Sequence, residues 1–409
     1  MTPTPPPRSV AFRRGLPAFG VALSVVVIFV AVLSIPLATA SDLGLSSGET
    51  VGWVMGIYGV SGALSLVLAL WYRQPLLLTG NIFVLLFIAS LGTQLSWPEL
   101  VGAAMVAGAF VLLLGPLGLT DRLAAWLPAP IIYGLLAGAV LPFFRDLFTA
   151  LGDAPLVVGA TLGAYLVGRV ALGPRLPAIL PALIVGLGVA GLAGRFDAAS
   201  TEALWPAPAF TAPIFTLEAM LTASPVMLVL VTLQANVPSV VFLRAEDYRP
   251  PEQTITRVSG VGTMLGSLFG PMGVSLSLPA TALCAGPDAG TPEVRHWSVY
   301  IAAGASVVIA VLAGSAAQVA TVVPRPLLLA IVGLAVFDVL VRALQQVAGG
   351  PLLLGPIFAF AVALSNLSLL GLGSFFWALV LGLSVSVLLE HDEWKALRDE
   401  ASAHTGPSG

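Results

Sequence analysis

The chain has 409 residues, of which 58% are hydrophobic and only 9% charged, and its net charge is −3. A soluble domain carries roughly 25% charged residues, so this composition excludes a water-soluble globular protein, a disordered chain and a basic protein that binds nucleic acid. One cysteine, Cys284, excludes an internal disulfide framework. With only three histidines no metal or other cofactor is expected. The sequence predicts an all-α integral membrane protein whose solvent is the lipid bilayer.

Apolar segments follow one another along almost the whole chain. A helix needs about 20 mostly apolar residues to cross the hydrocarbon core of a bilayer. By this length the sequence predicts about fourteen transmembrane segments, at 16–38, 49–71, 76–94, 98–118, 129–150, 155–172, 177–195, 221–243, 253–270, 275–286, 296–316, 323–345, 350–366 and 370–390. The third and tenth of these segments are short or interrupted by Gly, Pro and polar residues.

The positive charges favour one orientation of these segments. With the N-terminus inside, fourteen of the seventeen Lys and Arg residues lie at cytoplasmic ends, and the acidic segment 41–50 lies outside. We therefore expect a multi-pass protein of the inner (plasma) membrane with both termini cytoplasmic. Its predicted parts are a cytoplasmic tail (1–15), a first seven-span repeat (16–196), a periplasmic linker (197–218), a second seven-span repeat (219–390) and a cytoplasmic tail (391–409).

An internal repeat divides the chain into two halves. The motif Leu-Pro-Ala-Pro-Ile-Ile at 127–132 resembles Val-Pro-Arg-Pro-Leu-Leu at 323–328, and Pro128 and Pro324 are 196 residues apart. Seven predicted spans separate the copies, and an odd number reverses their orientation, which is typical of an inverted repeat. The alternative is that Pro-x-Pro recurs by chance among 32 prolines. The same offset pairs Thr79 with Ser275.

The two interrupted segments are the candidate site, because broken helices in corresponding positions of inverted halves are typical of substrate sites. In the third segment, Pro75 blocks a continuous helix and Gly80 permits an unusual backbone angle, so that a helix begins near Asn81. In the tenth segment, the alternating Ser-Leu-Ser-Leu of 275–278 predicts a short extended piece, and Pro279 suits the first turn of a following helix.

Two helix N-termini would then face each other near the midplane of the membrane. Each offers unbonded N–H groups and about half a positive charge, so that together they form an anion site that needs no basic side chain. The alternative is that the Ser and Thr hydroxyls bond to carbonyls within continuous helices. The predicted site residues here are Thr79, Gly80, Asn81, Ser275, Leu276, Ser277 and Thr281.

The eighth segment carries two carboxamides in an apolar run, Gln234 and Asn236, followed by Pro238. Polar groups in hydrocarbon are costly unless they find partners. The two amides therefore either close the substrate site or serve as hydrogen-bonded contacts between helices.

Ionisable residues within the spans are rare. Asp338 and Arg342 are four residues apart on one predicted helix, which favours an ion pair between them over a proton-carrying role for Asp338. Arg145 and Asp146 are expected to form an interfacial pair.

Several motifs resemble the benzoate–proton symporter family (BenE-type). The stretch 234–238, followed by Arg244 and Tyr-Arg-Pro-Pro at 248–251, is similar to its "SQN-P…LR…GYRPP" pattern. Phe-Gly-Pro at 269–271 and Ala-Leu-Cys-Ala-Gly-Pro-Asp-Ala at 282–289 are similar to its "FGG…N…AAICTGPEA", and Tyr-Arg-Gln-Pro at 72–75 matches its "YRQP". The likeness runs from about residue 45 to 315.

The resemblance implies the fold of uracil and sulfate permeases. There, a core domain (spans 1–4 and 8–11) and a gate domain (spans 5–7 and 12–14) hold substrate between the third and tenth spans, and a homodimer forms through the gate domains. This chain departs from the pattern in Thr-Gly-Asn-Ile-Phe at 79–83, where the family has a "WSTPG"-like stretch, and in Ser277, where it has Asn. Relatives that carry nucleobases have Glu where this chain has Gln234.

Together these observations predict a secondary active transporter of a small organic anion, benzoate or a similar aromatic monocarboxylate, in symport with protons by an elevator-type mechanism. Phe83 would contact the ring, and Asp338 is a weak candidate for proton coupling. The alternatives are a carrier of an uncharged nucleobase-like substrate and a sulfate-permease-like anion transporter or channel. An intramembrane enzyme is the weakest alternative, since no catalytic His or Cys arrangement lies in the spans.

Overall fold

The computed structural model describes residues 8–92, 94–117, 128–172, 178–196, 207–315, 322–365, 367, 369–370 and 374–403. The predicted tails and linker fall partly outside this set, at 1–7, 197–206 and 404–409.

Helices dominate the first half of the described chain, and one short strand interrupts them. The elements are α1 (Arg8–Val32), α2 (Ser34–Asp42), α3 (Ser47–Val54), the π-helix π1 (Met55–Val60), α4 (Ser61–Tyr72), β1 (Leu78–Gly80), α5 (Ile82–Leu91), α6 (Trp97–Leu117), α7 (Ala129–Asp153), α8 (Pro155–Leu172) and α9 (Ile179–Leu192).

The second half has the same character. Its elements are α10 (Leu217–Thr222), α11 (Ser224–Val229), the π-helix π2 (Leu230–Asn236), α12 (Val237–Ala245), α13 (Glu252–Ser267), β2 (Val274–Leu276), α14 (Leu278–Ala285), a 3-10 turn (Pro287–Ala289), α15 (His296–Val311), α16 (Arg325–Gly349), α17 (Leu354–Leu364), α18 (Ser374–Leu389) and α19 (His391–Ala403).

Length and composition identify the spans of a membrane protein. Within the described residues six stretches are long and apolar enough to cross a bilayer: Pro17–Asp42, Ser47–Tyr72, Trp97–Gly115, Ala129–Asp153, Leu217–Arg244 and Arg325–Gly349. A seventh candidate arises if α18 and α19, which meet at a bend of 104°, count as one span. Five shorter apolar helices, among them α5 and α15, accompany these spans. The total of fourteen segments stays a prediction.

Large apolar side chains on the outer surface agree with this environment. Val170 is 88% exposed, Leu192 is 93% exposed and Trp71 is 82% exposed. Such exposure is unfavourable in water and favourable against lipid tails.

The two helices that follow the repeated Pro-x-Pro motifs pack against each other. Pro128 precedes α7 and Pro324 precedes α16, and the two helices run in contact along their lengths. Small residues allow close approach elsewhere on α7: a Cβ added at Gly134 would lie 2.2 Å from the Pro356 carbonyl oxygen on α17. The repeat-related helices therefore lie side by side.

A buried carboxylate closes the N-terminus of α17. Glu390, just beyond the end of α18, accepts hydrogen bonds from the backbone N–H groups of Leu353 (2.6 Å), Leu354 (2.7 Å) and Gly355 (3.0 Å). The Ser386 hydroxyl donates to the same carboxylate at 3.0 Å. These four donors offset the cost of burying the carboxylate.

Candidate functional site

The two interrupted segments meet as a pair of short strands. β1 and β2 are antiparallel, with Thr79 opposite Ser275 and Leu78 opposite Leu276. The Asn81 N–H extends this contact to the Gly273 carbonyl at 2.7 Å. Backbone groups within a membrane protein must be bonded internally, and here each interrupted segment supplies the other's partners.

Asn81 closes the helix that follows β1. Its Oδ1 accepts from the backbone N–H groups of Phe83 (2.9 Å) and Val84 (3.1 Å), which are the orphan donors of the first turn of α5. Its Nδ2 donates to the Leu230 carbonyl (3.1 Å) and the Ser275 hydroxyl (2.9 Å). The carboxamide is therefore fully engaged in joining three elements of the protein.

By contrast, the N-terminus of α14, the helix that follows β2, has no side-chain cap. Ser277 occupies the N-cap position of α14 but makes no capping hydrogen bond, and Pro279 has no N–H to donate. The first-turn N–H groups of Leu278 and Ala280 therefore lack a cap from Ser277, and Ser277, Leu278 and Ala280 all line a cavity. This helix start presents donors and partial positive charge to the cavity.

Asn236 positions β2 from behind. Its Oδ1 accepts from the Leu276 N–H at 2.8 Å, and its Nδ2 donates to the Ser259 hydroxyl at 3.1 Å. Asn236 is buried and does not line the cavity. Its amide serves as a contact between elements.

Gln234 lies in the π-helix π2, just before Pro238 in α12. Pro238 has no N–H to donate to a carbonyl one turn back. The Val237 N–H bonds to the Thr232 carbonyl across five residues, which widens the turn. Gln234 is only 8% exposed, and its Oε1 is buried without a hydrogen-bond partner beside the cavity. An unpartnered buried amide oxygen costs free energy, which a ligand that donates a hydrogen bond would recover.

The cavity has a volume of about 700 Å³, within the range of small-molecule sites. Phe29, Ile57 and Phe83 contribute apolar surface to its lining. Tyr133, Tyr165, Arg169, Asp338 and Arg342, from α7, α8 and α16, bring polar and charged groups to the same space.

The predicted pair between Asp338 and Arg342 is wrong. Asp338 Oδ1 lies 2.8 Å from Nη1 of Arg169, on α8, and Arg342 Nε donates to the Asp338 backbone carbonyl at 3.2 Å. Arg169 also donates to the Tyr165 hydroxyl at 2.8 Å. A neighbouring helix provides a better-placed cation than the next turn of the same helix. The predicted pair of Arg145 and Asp146 is confirmed, at 2.9 Å.

Eight of the ten predicted site residues line the cavity, namely Thr79, Gly80, Asn81, Phe83, Gln234, Ser275, Leu276 and Ser277. Asn236 and Thr281 do not, and the Thr281 hydroxyl is buried without a partner. Sequence reasoning missed Tyr58 and Arg169 in the lining. A cation near the end of a predicted span was the only signal for Arg169. Within the described residues no group of three or more His, Cys, Asp or Glu is arranged to hold a metal ion.

The amino-acid sequence is similar to known proteins along most of its length. Residues 16–388 match the family model described as "Benzoate membrane transport protein". The chain is 27% identical over 344 residues to "Inner membrane protein YdcO" of Escherichia coli, covering 83% of this chain and 87% of that protein. It is 25% identical over 370 residues to "Benzoate membrane transport protein" of Acinetobacter baylyi, covering 90% and 93%.

Comparisons of structure extend the likeness. The fold is similar to the transmembrane domain of a cyanobacterium bicarbonate transporter, BicA, with a TM-score of 0.61 at 18% identity over 91% of this chain and 98% of that one. It is also similar to the murine anion transporter Slc26a9 in the inward-facing state, with a TM-score of 0.64 at 11% identity over 96% and 73%. At these identities the likeness shows a shared fold.

Proposed function

Because the chain belongs to the BenE family of benzoate membrane transport proteins, we propose that it is a secondary active transporter of a small organic anion, benzoate or a similar aromatic monocarboxylate, in symport with protons. The observation that carries this proposal is the uncapped N-terminus of α14, which opens into a cavity of about 700 Å³ beside the unpartnered Gln234.

The carboxylate of the substrate would accept hydrogen bonds from the N–H groups of Leu278 and Ala280. Ser277 and Thr79 line the same space and add hydroxyl donors. Helix N-termini bind anions because unbonded N–H groups and the helix dipole act together. The aromatic ring would lie against Phe83 and its apolar neighbours in the lining.

Gln234 would complete the site from π2. Its amide donates as well as accepts, so it can bond either a carboxylate oxygen or a substrate N–H. The buried, unpartnered Oε1 supports a role in ligand binding over one as a contact between helices.

The proposed architecture is two inverted seven-span repeats, 16–196 and 219–390, joined by a periplasmic linker at 197–218. In it α5 and α14 belong to half-helical third and tenth spans of a core domain. The core would move past a gate domain that includes α7, α8 and α16, exposing the site to each side of the inner membrane in turn. Both termini would be cytoplasmic, and a homodimer would form through the gate domains.

Asp338 is the proposed carrier of the symported proton. It lines the cavity and its side chain is 53% exposed, so it is accessible from water. Protonation would remove the charge that holds Arg169 and would thereby link proton binding to the state of the cavity.

Uptake into proteoliposomes tests the substrate. We expect saturable uptake of radiolabelled benzoate that an inward proton gradient accelerates. An uncharged nucleobase is the second candidate, because the lining offers amides and hydroxyls at the site itself. Saturable uracil uptake that benzoate does not inhibit would contradict our choice. Anion currents that do not saturate would indicate a channel.

A pair of variants tests the site. Gln234→Ala should raise the Kd for benzoate about tenfold, the equivalent of one lost hydrogen bond to a charged group, and more than Asp338→Asn does. Gln234→Glu places a carboxylate there and should weaken benzoate binding further, by charge repulsion. Equal, small effects of all three variants would mean that Gln234 only packs.

A further inference from the structure

We propose that the gate side of the cavity carries a second anion-binding site, the arginine site, formed by Arg342 and Arg169 and distinct from the N-terminus of α14. It binds the carboxylate of an organic anion as that anion enters or leaves the cavity. This inference rests on the proposed function for the identity of the anion, but not for the existence of the site.

The charges lining the cavity do not balance. Arg169 and Arg342 bring two guanidinium groups, and Asp338 is the only carboxylate among the described residues of the lining. These three side chains are all exposed, and those of Arg169 and Asp338 are 48% and 53% exposed. A net positive charge therefore faces the cavity.

The two arginines are held differently. Arg169 is fixed by Asp338 at 2.8 Å and by the Tyr165 hydroxyl at 2.8 Å, and its guanidinium lies 5.5 Å from the centre of the Phe337 ring. Arg342 donates from Nε to a backbone carbonyl and makes no ion pair within the described part of the chain. Its terminal nitrogens are thus available for a carboxylate, which a guanidinium binds through two parallel hydrogen bonds.

Asp338 sets the strength of the arginine site. While ionised, it occupies Arg169 and leaves Arg342 as the only guanidinium without an ion pair among the described lining residues. Neutralising Asp338 releases Arg169 and doubles the net charge that the cavity presents. Asp338 therefore competes with the substrate carboxylate for Arg169.

A thiol reporter measures this charge without any substrate. The only cysteine of the chain, Cys284, is buried, so that Ala335→Cys introduces one accessible thiol into the lining, on the same helix as Arg342. Seven helical residues correspond to about 10 Å. At that separation in water one unit charge changes the rate of a charged reagent about twofold, so the ratio of rates for anionic and cationic methanethiosulfonates changes about fourfold.

We expect that ratio, measured at low ionic strength, to fall about fourfold in R342Q and to rise by more than about fourfold in D338N, because Asp338 is only three residues from position 335. R325Q is the matched control, since Arg325 lies at the other end of α16, pairs with Asp42 at 2.9 Å and does not line the cavity. R342K, which keeps the charge, should preserve the ratio and serves where R342Q fails to fold. A ratio in R342Q equal to that in R325Q, or a lowered ratio in R342K, would overturn the proposal.

Benzoate as a probe then tests binding. It should slow labelling of the introduced thiol in the A335C protein, and the concentration that gives half protection should rise at least fivefold in R342Q and in R342K, because lysine lacks the paired donors. Half protection at an unchanged concentration in R342Q would overturn the arginine site. Absence of any protection in the A335C parent, with the charge ratios as expected, would contradict the benzoate assignment and leave the arginine site supported as an anion site.

Discussion

The two interrupted segments differ in how their helices begin, although their strands pair residue for residue. α5 begins under the Asn81 carboxamide, which makes four hydrogen bonds. α14 begins at Ser277, which makes no capping bond. The first segment is therefore a closed structural joint, and the second retains unbonded donors at the cavity. The paired strands of the two segments are therefore followed by helix starts with different hydrogen bonding.

A third helix start shows what an anion does in such a place. The Glu390 carboxylate lies at the N-terminus of α17, bonded by three consecutive backbone N–H groups. This is the interaction proposed between a substrate carboxylate and α14, with the anion supplied by the chain itself. Two of these three helix starts are thus closed from within, by an amide and by a carboxylate.

The largest effect should come from removing the closed joint. Asn81→Ala loses the cap of α5 and leaves buried groups of Leu230 and Ser275 with one partner fewer, so the free energy of unfolding should fall by about 3 kcal/mol. Thermal unfolding of the purified protein measures it. Asn81→Ser keeps a capping oxygen but not the amide donors and should lose about half as much. An unchanged melting temperature in Asn81→Ala would break the contrast between the two segments.

A smaller loss of stability, about 2 kcal/mol near pH 7, is expected for Glu390→Gln. The backbone N–H groups bond the ionised carboxylate more strongly than the protonated acid, so the contribution of Glu390 is complete near neutral pH and is lost as the carboxylate is protonated in acid. The difference between wild type and Glu390→Gln should therefore shrink in acid.

Melting temperatures near pH 7 and near pH 4 or lower measure that difference. Glu393→Gln, an exposed carboxylate on α19, is the control and should change neither value. A gap between wild type and Glu390→Gln that does not vary with pH would show that packing, not charge, holds the start of α17.

The smallest effect in free energy, yet the sharpest for function, is expected at the open start. Ser277→Asp places a carboxylate where the substrate carboxylate is proposed to bind, so the Kd for benzoate should rise at least tenfold, about 1.4 kcal/mol, while the melting temperature holds or rises. Ser277→Asn caps α14 without charge and should weaken binding less. Isothermal titration measures both, and wild-type affinity in Ser277→Asp would mean that the anion binds elsewhere.

Much of the site could be predicted because it is encoded locally. Pro75 and Pro279 interrupt helices through their own backbone chemistry. The unusual backbone angle expected at Gly80 is wrong: Gly80 lies in β1 without a positive φ, and an added Cβ would lie 2.5 Å from the Ile57 side chain. The 196-residue offset pairs Thr79 with Ser275, and these two residues are direct partners across the strands. Pattern and spacing are sufficient when the cause lies within a few residues or in a repeat.

Contacts between distant elements could not be predicted in this way. Asp338 pairs with Arg169, from a helix far away in sequence, and not with Arg342 one turn along. In the sequence, Asn81 and Asn236 are both polar residues within apolar runs. In the structure, Asn81 lines the cavity and Asn236 lies behind it. Only packing decides between such outcomes, and no spacing in the sequence encodes it.

The pairing of β1 with β2 also has a consequence for biosynthesis. The backbone of 78–80 finds its partners in 274–276, which emerge from the ribosome 196 residues later. At 5–20 residues per second this delay lasts roughly 10–40 s. Throughout it the strand of 78–80 lacks the partner that bonds its backbone in the folded protein. The contact between the two interrupted segments therefore forms only after residue 276 has been made.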